Sequence, residues 1–333
     1  MSSTPPVLAL PSVSDALAER LQQGLADVDE TLRRVVDHDD PFIAEASAHL
    51  ADAGGKRFRP LLTLLAAEVG AGINHEVVAA ATGVELTHLA SLYHDDVMDE
   101  ADVRRGAPSA NAKYDNSTAI LVGDLLFGTA SSIIADLGPE AVKIQAQTFV
   151  RLCSGQIRDD RACPPGTDPV EYYLGVLADK TGVLIATAAR YGAMFGGCAP
   201  GTVETLRVYG ERLGMAFQLA DDLIDIASEA GETGKTPGTD LREGKATLPV
   251  LYARASTDPA DARLQELLSS DLRDDARLEE TLALLRAHPA MERAREHTFA
   301  VGREAQDALA PLPGGEAKEA LLALATGVVT RAG

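Results

Sequence analysis

The stretch Val84-Glu85-Leu86-Thr87-His88-Leu89-Ala90-Ser91-Leu92-Tyr93-His94-Asp95-Asp96-Val97-Met98-Asp99 decides how the rest of the chain is read. Its first part is apolar at Val84, Leu86, Leu89, Ala90 and Leu92, which suits a buried helix. Its end concentrates charge at Asp95, Asp96 and Asp99. Residues four apart lie one turn along the same helix face, so Asp95 and Asp99 aim at one point. Buried carboxylates are costly unless paired or metal-bound. The pattern D-D-x-x-D returns at Asp221-Asp222-Leu223-Ile224-Asp225, again within apolar helix-type sequence. Mg²⁺ prefers carboxylate oxygen and shares its coordination sphere with substrate phosphates. Two such faces looking at each other would make a diphosphate–metal clamp. A solvated acidic face accounts for one such cluster; it accounts for a matched pair less well.

The surrounding composition fits. Of 333 residues, 46% are hydrophobic and only 4% aromatic, with no Trp, while Ala and Leu abound. That balance favours helix over sheet and excludes global disorder. A formal charge of −20 argues against a nucleic-acid partner, because phosphate backbones demand a basic surface. Cys153, Cys163 and Cys198 lack metal-type spacing and are expected as reduced thiols of a cytoplasmic protein. Met1 to Pro11 has neither a basic start nor a long apolar run, and charges are expected to interrupt every helix before it reaches membrane-spanning length.

Residues 1–12 read as a flexible lead and 13–333 as a single all-α domain whose helices surround a central cavity. Ser14 can cap a helix to about Val36, Pro41 opens another ending near Gly54-Gly55, and Pro60 suits the first turn of a third through Val69. Helices are then expected over Glu76–Asp99, Ser117–Leu137, Glu140–Arg161, Pro169–Phe195 and Thr202–Ala230, with a turn at Arg104–Pro108. Gly231–Gly244 reads as a polar loop, and the remainder as Ala/Leu helices broken at Pro259, Pro289 and Pro311–Gly315.

Gly54-Gly55-Lys56-Arg57-Phe58-Arg59-Pro60 is a third signal. Two glycines let the backbone turn closely, three cations follow, and a helix starts, so an anion is welcomed by both charge and helix N-terminus. Alone, it would be an ordinary helix start with solvated charges; beside two metal-type clusters, it reads as a second diphosphate site.

With these stretches in hand, the chain resembles the trans-isoprenyl diphosphate synthases of the polyprenyl synthetase family. The resemblance is carried by Gly54–Pro60; by His88 with His94-Asp95-Asp96-Val97-Met98-Asp99 and Arg104-Arg105-Gly106; by Lys180-Thr181; by Gln218 to Asp225; and by Gly234 to Leu241 with Lys245 to Pro249. It implies an all-α isoprenoid-synthase bundle that condenses isopentenyl diphosphate onto an allylic diphosphate, and a homodimer. Lys56, Arg59, His88 and Arg105 would bind the diphosphate of isopentenyl diphosphate. Arg104, Lys180 and Lys235 would hold the allylic diphosphate, with Thr181 and Gln218 near the reacting carbons and Lys245 a further neighbour. Asp95 and Asp99 would ligate two Mg²⁺ ions and Asp221 a third, supported by Asp96, Asp222 and Asp225.

A chain anchored at Asp95 and Asp99 should run back along the same helix, meeting Ser91 and Thr87 at successive turns, with Ala90 beside Ser91. An isoprene unit spans about 5 Å, roughly one turn. All three residues are small, which favours a product longer than geranylgeranyl diphosphate over a short one; Phe127, Ile133, Ile134 or Phe149 could still supply a floor. A terpene cyclase is disfavoured because its second motif needs a hydroxyl residue where Asp225 stands between Asp221 and Glu229. A non-catalytic partner subunit is disfavoured because both aspartate clusters are intact.

Overall fold

The computed structural model describes residues 13–228 and 237–331. They group into two compact units: residues 13–150, 184–210 and 308–323 form one, and residues 151–183, 211–228, 237–307 and 324–331 the other.

In the first unit, α1 (Asp15–Val36) begins where the Ser14 hydroxyl accepts from the Leu17 N–H at 3.2 Å. It buries Leu17, Leu21, Val28, Leu32 and Val36, a stripe of helical period. Gly24 lies on the same stripe, and a Cβ there would come within 3.0 Å of Leu64, so its bareness sets how closely the next layer approaches. α2 (Pro41–Asp52) starts under the Asp40 carboxylate, which accepts from the N–H groups of Phe42 and Ile43. α3 (Phe58–Ala67) is buried at every position except Arg59.

Next comes α4 (His75–Met98), capped by Asn74, whose residues Ala80 through Thr87 are buried without a polar stripe, as expected of a helix wrapped by others. The Tyr93 ring is fully buried; its hydroxyl donates to Ala46 O at 2.5 Å and accepts from Leu50 N at 3.3 Å, fastening α4 to α2. α6 (Asn116–Asp136) packs along α4 through two bare positions. A Cβ at Gly123 would lie 2.3 Å from His94 Nε2, and one at Gly83 2.7 Å from Ile134 Cδ1.

Between α4 and α6, the strands β1 (Val103–Arg104) and β2 (Ala107–Pro108) pair antiparallel, followed by the single turn α5 (Ala110–Lys113). Arg105 and Gly106 join the strands with φ of 55° and 78°, the positive pair that a tight two-residue hairpin needs. α7 (Pro139–Asp159) follows, then α8 (Pro169–Leu177), a π turn at Ala178–Gly182, and α9 (Val183–Phe195). α9 meets α3 at Gly192, where a Cβ would fall 2.0 Å from Thr63 O.

The second unit takes the end of α10 (Pro200–Ala227) and the short α11 (Thr239–Arg242). α12 (Leu248–Arg254), α13 (Ala262–Leu268), α14 (Asp275–Ala287) and α15 (Pro289–Ala308) complete it with the last turns of α16 (Glu316–Thr330). Leu264, Leu267, Leu268, Leu278, Leu282 and Leu285 are buried there.

The structure departs from the sequence reading in four places. The Arg104–Pro108 turn is a small hairpin. The helix expected from Pro169 to Phe195 carries a π turn in its middle. The loop expected to run to Gly244 folds into α11, because the Asp225 carboxylate supplies its first N–H groups with an acceptor. Finally, α6 is, by length and composition, apolar enough to cross a bilayer, with Asp124 its one interior charge. Its face Ala119, Val122, Leu126, Ala130 and Ile134 is buried, Ala119 to Ala130 in the same core as Leu86, Leu89 and Ala90 of α4, while Ile120, Leu121 and Leu125 are exposed.

Candidate active site

The three cations of the Gly54–Pro60 stretch divide their work. Arg57, in a left-handed conformation at φ 47°, stands just before α3 without a side-chain hydrogen bond to its first turn. Its guanidinium pairs with Asp29 at 2.8 Å and Glu85 at 3.1 Å and donates to Ala51 O at 3.2 Å. Arg57 therefore serves the fold, and Glu85, 2% exposed, is the carboxylate that makes this concentration of arginines tolerable.

Lys56 stays exposed. Arg59 sits half-buried on the first turn of α3, with its Nε buried and lacking a hydrogen-bond partner among the described residues. Burial pulls its pKa down to about 10, with Glu85 opposing and Arg105 adding to the fall; it remains charged at neutral pH. The hairpin carries Arg105 to the same place. Its Nη1 donates to Leu50 O at 2.9 Å and to Gly54 O, and its guanidinium lies where a Cβ on Gly55 would come within 3.0 Å. The second glycine of the stretch is thus a seat for Arg105.

His88, half-buried on α4, completes the group. Burial first, then the positive charges of Arg59, Arg105, Arg104 and Arg57, hold its pKa well below the usual histidine value. At neutral pH the ring is uncharged and offers one donor and one acceptor.

Three stacked aspartates at the end of α4 have unlike surroundings. Asp96 is fully buried; its Oδ1 takes Arg104 Nε at 2.6 Å and its Oδ2 the Ala110 N–H at 3.4 Å. Asp95 is half-buried and Asp99, the residue just past the last turn, is exposed, with Arg104 Nη2 3.9 Å from its Oδ2. The cluster therefore spends its buried middle carboxylate on aiming Arg104, while Asp95 is half-buried and Asp99 exposed.

In the second unit the second cluster is divided differently. Asp222, 4% exposed, accepts from Gln218 Nε2 at 2.8 Å and from the Tyr173 hydroxyl. Burial pushes its carboxyl up to about 6, against those hydrogen bonds and with the help of Asp221 and Asp225. Asp225 accepts from the N–H groups of Thr239 at 3.2 Å and Asp240 at 3.1 Å. Asp221 is half-buried and pairs with Arg331 at 3.2 Å, near the end of the chain. Gln218 also receives the Thr181 hydroxyl at 3.4 Å.

Lys180 and Lys245 converge on one carboxylate. Lys180 Nζ lies 2.7 Å and Lys245 Nζ 3.0 Å from Asp159 Oδ2, and Lys245 also reaches Asp160 at 3.0 Å. Burial would raise the Asp159 carboxyl, but the two ammonium groups outweigh it and hold it below the usual range. The π turn places Lys180 here: Arg151 and Arg158 clamp Asp179 at 2.7 and 3.0 Å, and Gly155 lets α7 come so close that a Cβ would stand 2.5 Å from Lys180 N.

Of the expected residues, Lys235 and Glu229 lie outside the described residues. The first unit brings together Arg59, His88, Arg104, Arg105 and the first cluster; the second brings together Lys180, Thr181, Gln218, Lys245 and the second cluster. Asp159, Asp160, Tyr173, Glu85 and Arg331 escaped the sequence reading. Asp159-Asp160 had a signal: an acidic pair ending α7, the counter-charge that two nearby lysines would require. Tyr173 and Glu85 had none, since their role depends on what folds against them.

Among the small residues preceding Asp95, Ala90 is fully buried in the core with Leu86, Leu89 and Leu126, and its carbonyl oxygen lies 3.2 Å from where a Gly123 Cβ would be. Ser91 is half-buried, its hydroxyl donating to His88 O at 2.8 Å. Thr87 is 1% exposed.

Comparison with known proteins places these features in a setting. The profile of the polyprenyl synthetase family matches residues 40–285. A nonaprenyl diphosphate synthase of Mycobacterium tuberculosis is 47% identical over 329 residues, 98% of either chain. A geranylgeranyl pyrophosphate synthase from Corynebacterium glutamicum, solved with calcium and isoprenyl diphosphate, superposes with a TM-score of 0.86 at 44% identity, covering 96% of this chain and 98% of that one. A decaprenyl diphosphate synthase from Rhodobacter capsulatus gives a TM-score of 0.86 at 36% identity over 95% and 98%.

Proposed function

This chain belongs to the polyprenyl synthetase family, and from that premise we propose that it condenses isopentenyl diphosphate head-to-tail onto an allylic diphosphate, giving an all-trans polyprenyl diphosphate longer than geranylgeranyl. It is a prenyltransferase. The observation that carries the reading is the buried Asp96, which holds Arg104 at the helix end beside the half-buried Asp95 and the exposed Asp99. A non-catalytic subunit would have no use for that division of labour.

The donor set suits a hard divalent cation, since carboxylates one turn apart at an exposed helix end leave room for water and phosphate oxygen. We take the ion as Mg²⁺, with two ions held by Asp95 and Asp99 and a third by Asp221, while Asp96, Asp222 and Asp225 hold their surroundings in place. When bound, such ions neutralise the departing diphosphate. Lys56, Arg59, His88 and Arg105 bind the diphosphate of isopentenyl diphosphate. Arg104, Lys180 and Lys235 hold the allylic diphosphate, with Lys245 beside it. The allylic C–O bond breaks with its electron pair going to the diphosphate, and the double bond of isopentenyl diphosphate attacks the cation near Thr181 and Gln218. The proton then lost passes to the released diphosphate.

Support for a long product comes from the similarity to a nonaprenyl synthase and from the small Ser91 and Thr87 one and two turns before Asp95. A geranylgeranyl synthase is similar as well, at 44% identity, so product length has to be measured. Ser91→Phe is expected to hold products at or below twenty carbons while isopentenyl diphosphate is still consumed. The measurement is chromatography of dephosphorylated products made with Mg²⁺ and geranyl diphosphate as primer. A folded, active Ser91→Phe protein with wild-type product lengths would mean that the chain grows along another path. Ala90 is unsuitable for this test, because a ring there would overpack the core.

We propose a homodimer formed through the apolar face of Leu121 and Leu125 on α6 with Val142, Phe149 and Val150 on α7, all exposed in the single chain. A monomeric mass in analytical ultracentrifugation at micromolar concentration would dismiss it. A cytoplasmic location is in keeping with three cysteines that form no disulfide.

A further inference from the structure

Four polar side chains of the second unit bond to one another in a fixed order. Tyr173 of α8 donates its hydroxyl hydrogen to Asp222 Oδ2 on α10. Gln218, one turn earlier on α10, donates from Nε2 to Asp222 Oδ1 at 2.8 Å. Thr181, in the π turn, donates its hydroxyl hydrogen to Gln218 Oε1 at 3.4 Å. The order has a direction, and the carboxylate sets it. An ionised carboxylate only accepts, so the amide must present its N–H end to Asp222 and its carbonyl end to Thr181.

The arrangement depends on Asp222, which is 4% exposed. A carboxylate so buried is kept in place by its donors, and among the described residues Gln218 and Tyr173 are the side chains that donate to it. Tyr173 is the firmer of the two. Its phenol oxygen also takes the Leu248 N–H at the start of α12. Thr247 leaves that helix start without a side-chain cap, its own Oγ1 buried with no hydrogen-bond partner among the described residues. The phenol is thus gripped from α12 while it grips α10. The adjacent Tyr172 is used differently, its hydroxyl donating to Arg158 O on α7 at 2.9 Å. A phenylalanine ring at position 173 would fill the same space; only a hydroxyl reaches Asp222.

We propose that Tyr173 is a positioning residue of the condensation: by holding the Asp222 carboxylate, it fixes which end of the Gln218 amide is turned toward Thr181 and the reacting carbons. This rests on the reading that Thr181 and Gln218 stand beside those carbons. A carbonyl oxygen on that side favours positive charge as it develops on the allylic carbon, and an N–H end opposes it. Without Tyr173, the carboxylate can turn and the amide with it.

The test uses the full-length protein with isopentenyl diphosphate, geranyl diphosphate and Mg²⁺. Tyr173→Phe should lower kcat about tenfold, the scale of one lost hydrogen bond to a buried charge. The KM for isopentenyl diphosphate should stay within about twofold, the mark of an interaction that counts in the transition state. Gln218→Leu should lower kcat on its own. In that background Tyr173→Phe should cost less than about twofold further, because the amide it acts through is gone. A tyrosine that served only the fold would cost the same factor in either background. Asp222→Asn sets the order in reverse: its oxygen keeps the Tyr173 hydroxyl, its nitrogen faces Gln218, and Gln218 must turn its N–H end to Thr181. That variant should also lose kcat, and it decides the matter should thermal melts show Tyr173→Phe unfolded. Wild-type kcat in folded Tyr173→Phe or Asp222→Asn protein, or an undiminished loss in the Gln218→Leu background, would overturn the role of Tyr173. Wild-type kcat in Gln218→Leu would instead overturn the placing of Gln218 beside the reacting carbons, so the two failures are distinguishable.

Discussion

Replacing Asp95 with alanine is expected to lower turnover by about two to three orders of magnitude, a loss of about 2.7–4 kcal/mol of transition-state stabilisation, while the melting temperature falls less than it does for Asp96→Ala. The separation follows from the surroundings of the cluster. Asp95 stands half-buried beside the exposed Asp99, where the proposed function has it hold a metal ion. Asp96 makes the control. Its carboxylate is fully buried and carries both Arg104 and the Ala110 N–H, so Asp96→Ala should cost fold stability on the order of 1–3 kcal/mol as well as activity. Asp221→Ala should resemble Asp95→Ala in turnover, because its one described ion pair is to Arg331 near the chain end. Steady-state kinetics across a Mg²⁺ titration, with thermal melts of each variant, is the measurement. Wild-type turnover by Asp95→Ala in metal-containing buffer would rule out the two-cluster clamp.

Arg59→Ala should raise the KM for isopentenyl diphosphate by about one to two decades, the worth of a charge-assisted contact of roughly 1.5–3 kcal/mol. Arg59 points a cation into a place already crowded with positive charge, and it lacks the partners that occupy Arg57. A cation so placed has an anionic ligand to meet or no reason to be there. Because Glu85 keeps its pair with Arg57, the variant should fold. Lys56→Ala should act in the same direction and less, since an exposed ammonium is more screened. If the KM for the allylic primer rose instead, with isopentenyl diphosphate use unchanged, the two diphosphate sites would have been assigned in reverse.

What could be read from the chain and what could not divide along a physical line. Ser14, Asp40-Pro41 and the apolar stripe of α1 announce their helices because caps and period-3.6 burial are local properties. The aspartate clusters are legible because carboxylates repeated on apolar helices carry a desolvation cost that a bound cation offsets. The unlike fates of Asp95, Asp96 and Asp99 are not legible, for they depend on the hairpin that brings Arg104 back over the helix end. Arg57 and Arg59 look interchangeable in sequence; only Asp29 and Glu85, twenty-eight residues away on either side, mark Arg57 as the structural cation. Asp159 shows the same limit, since its meaning lies in two lysines far along the chain.

The π turn at Ala178–Gly182 has a consequence for how this site can change with time. Such a turn is a helix holding one residue more than its hydrogen-bond ladder needs. Each residue of an α-helix advances the next by about 100°, so losing one here would rotate everything after it relative to everything before. Tyr173 could no longer face Asp222 while Thr181 kept its hydroxyl on Gln218. A substitution cannot remove the surplus residue; only a deletion can, and it would disturb both ends at once. Drift by point changes can therefore retune the side chains around Lys180 and Thr181, yet leave the backbone frame that presents them intact.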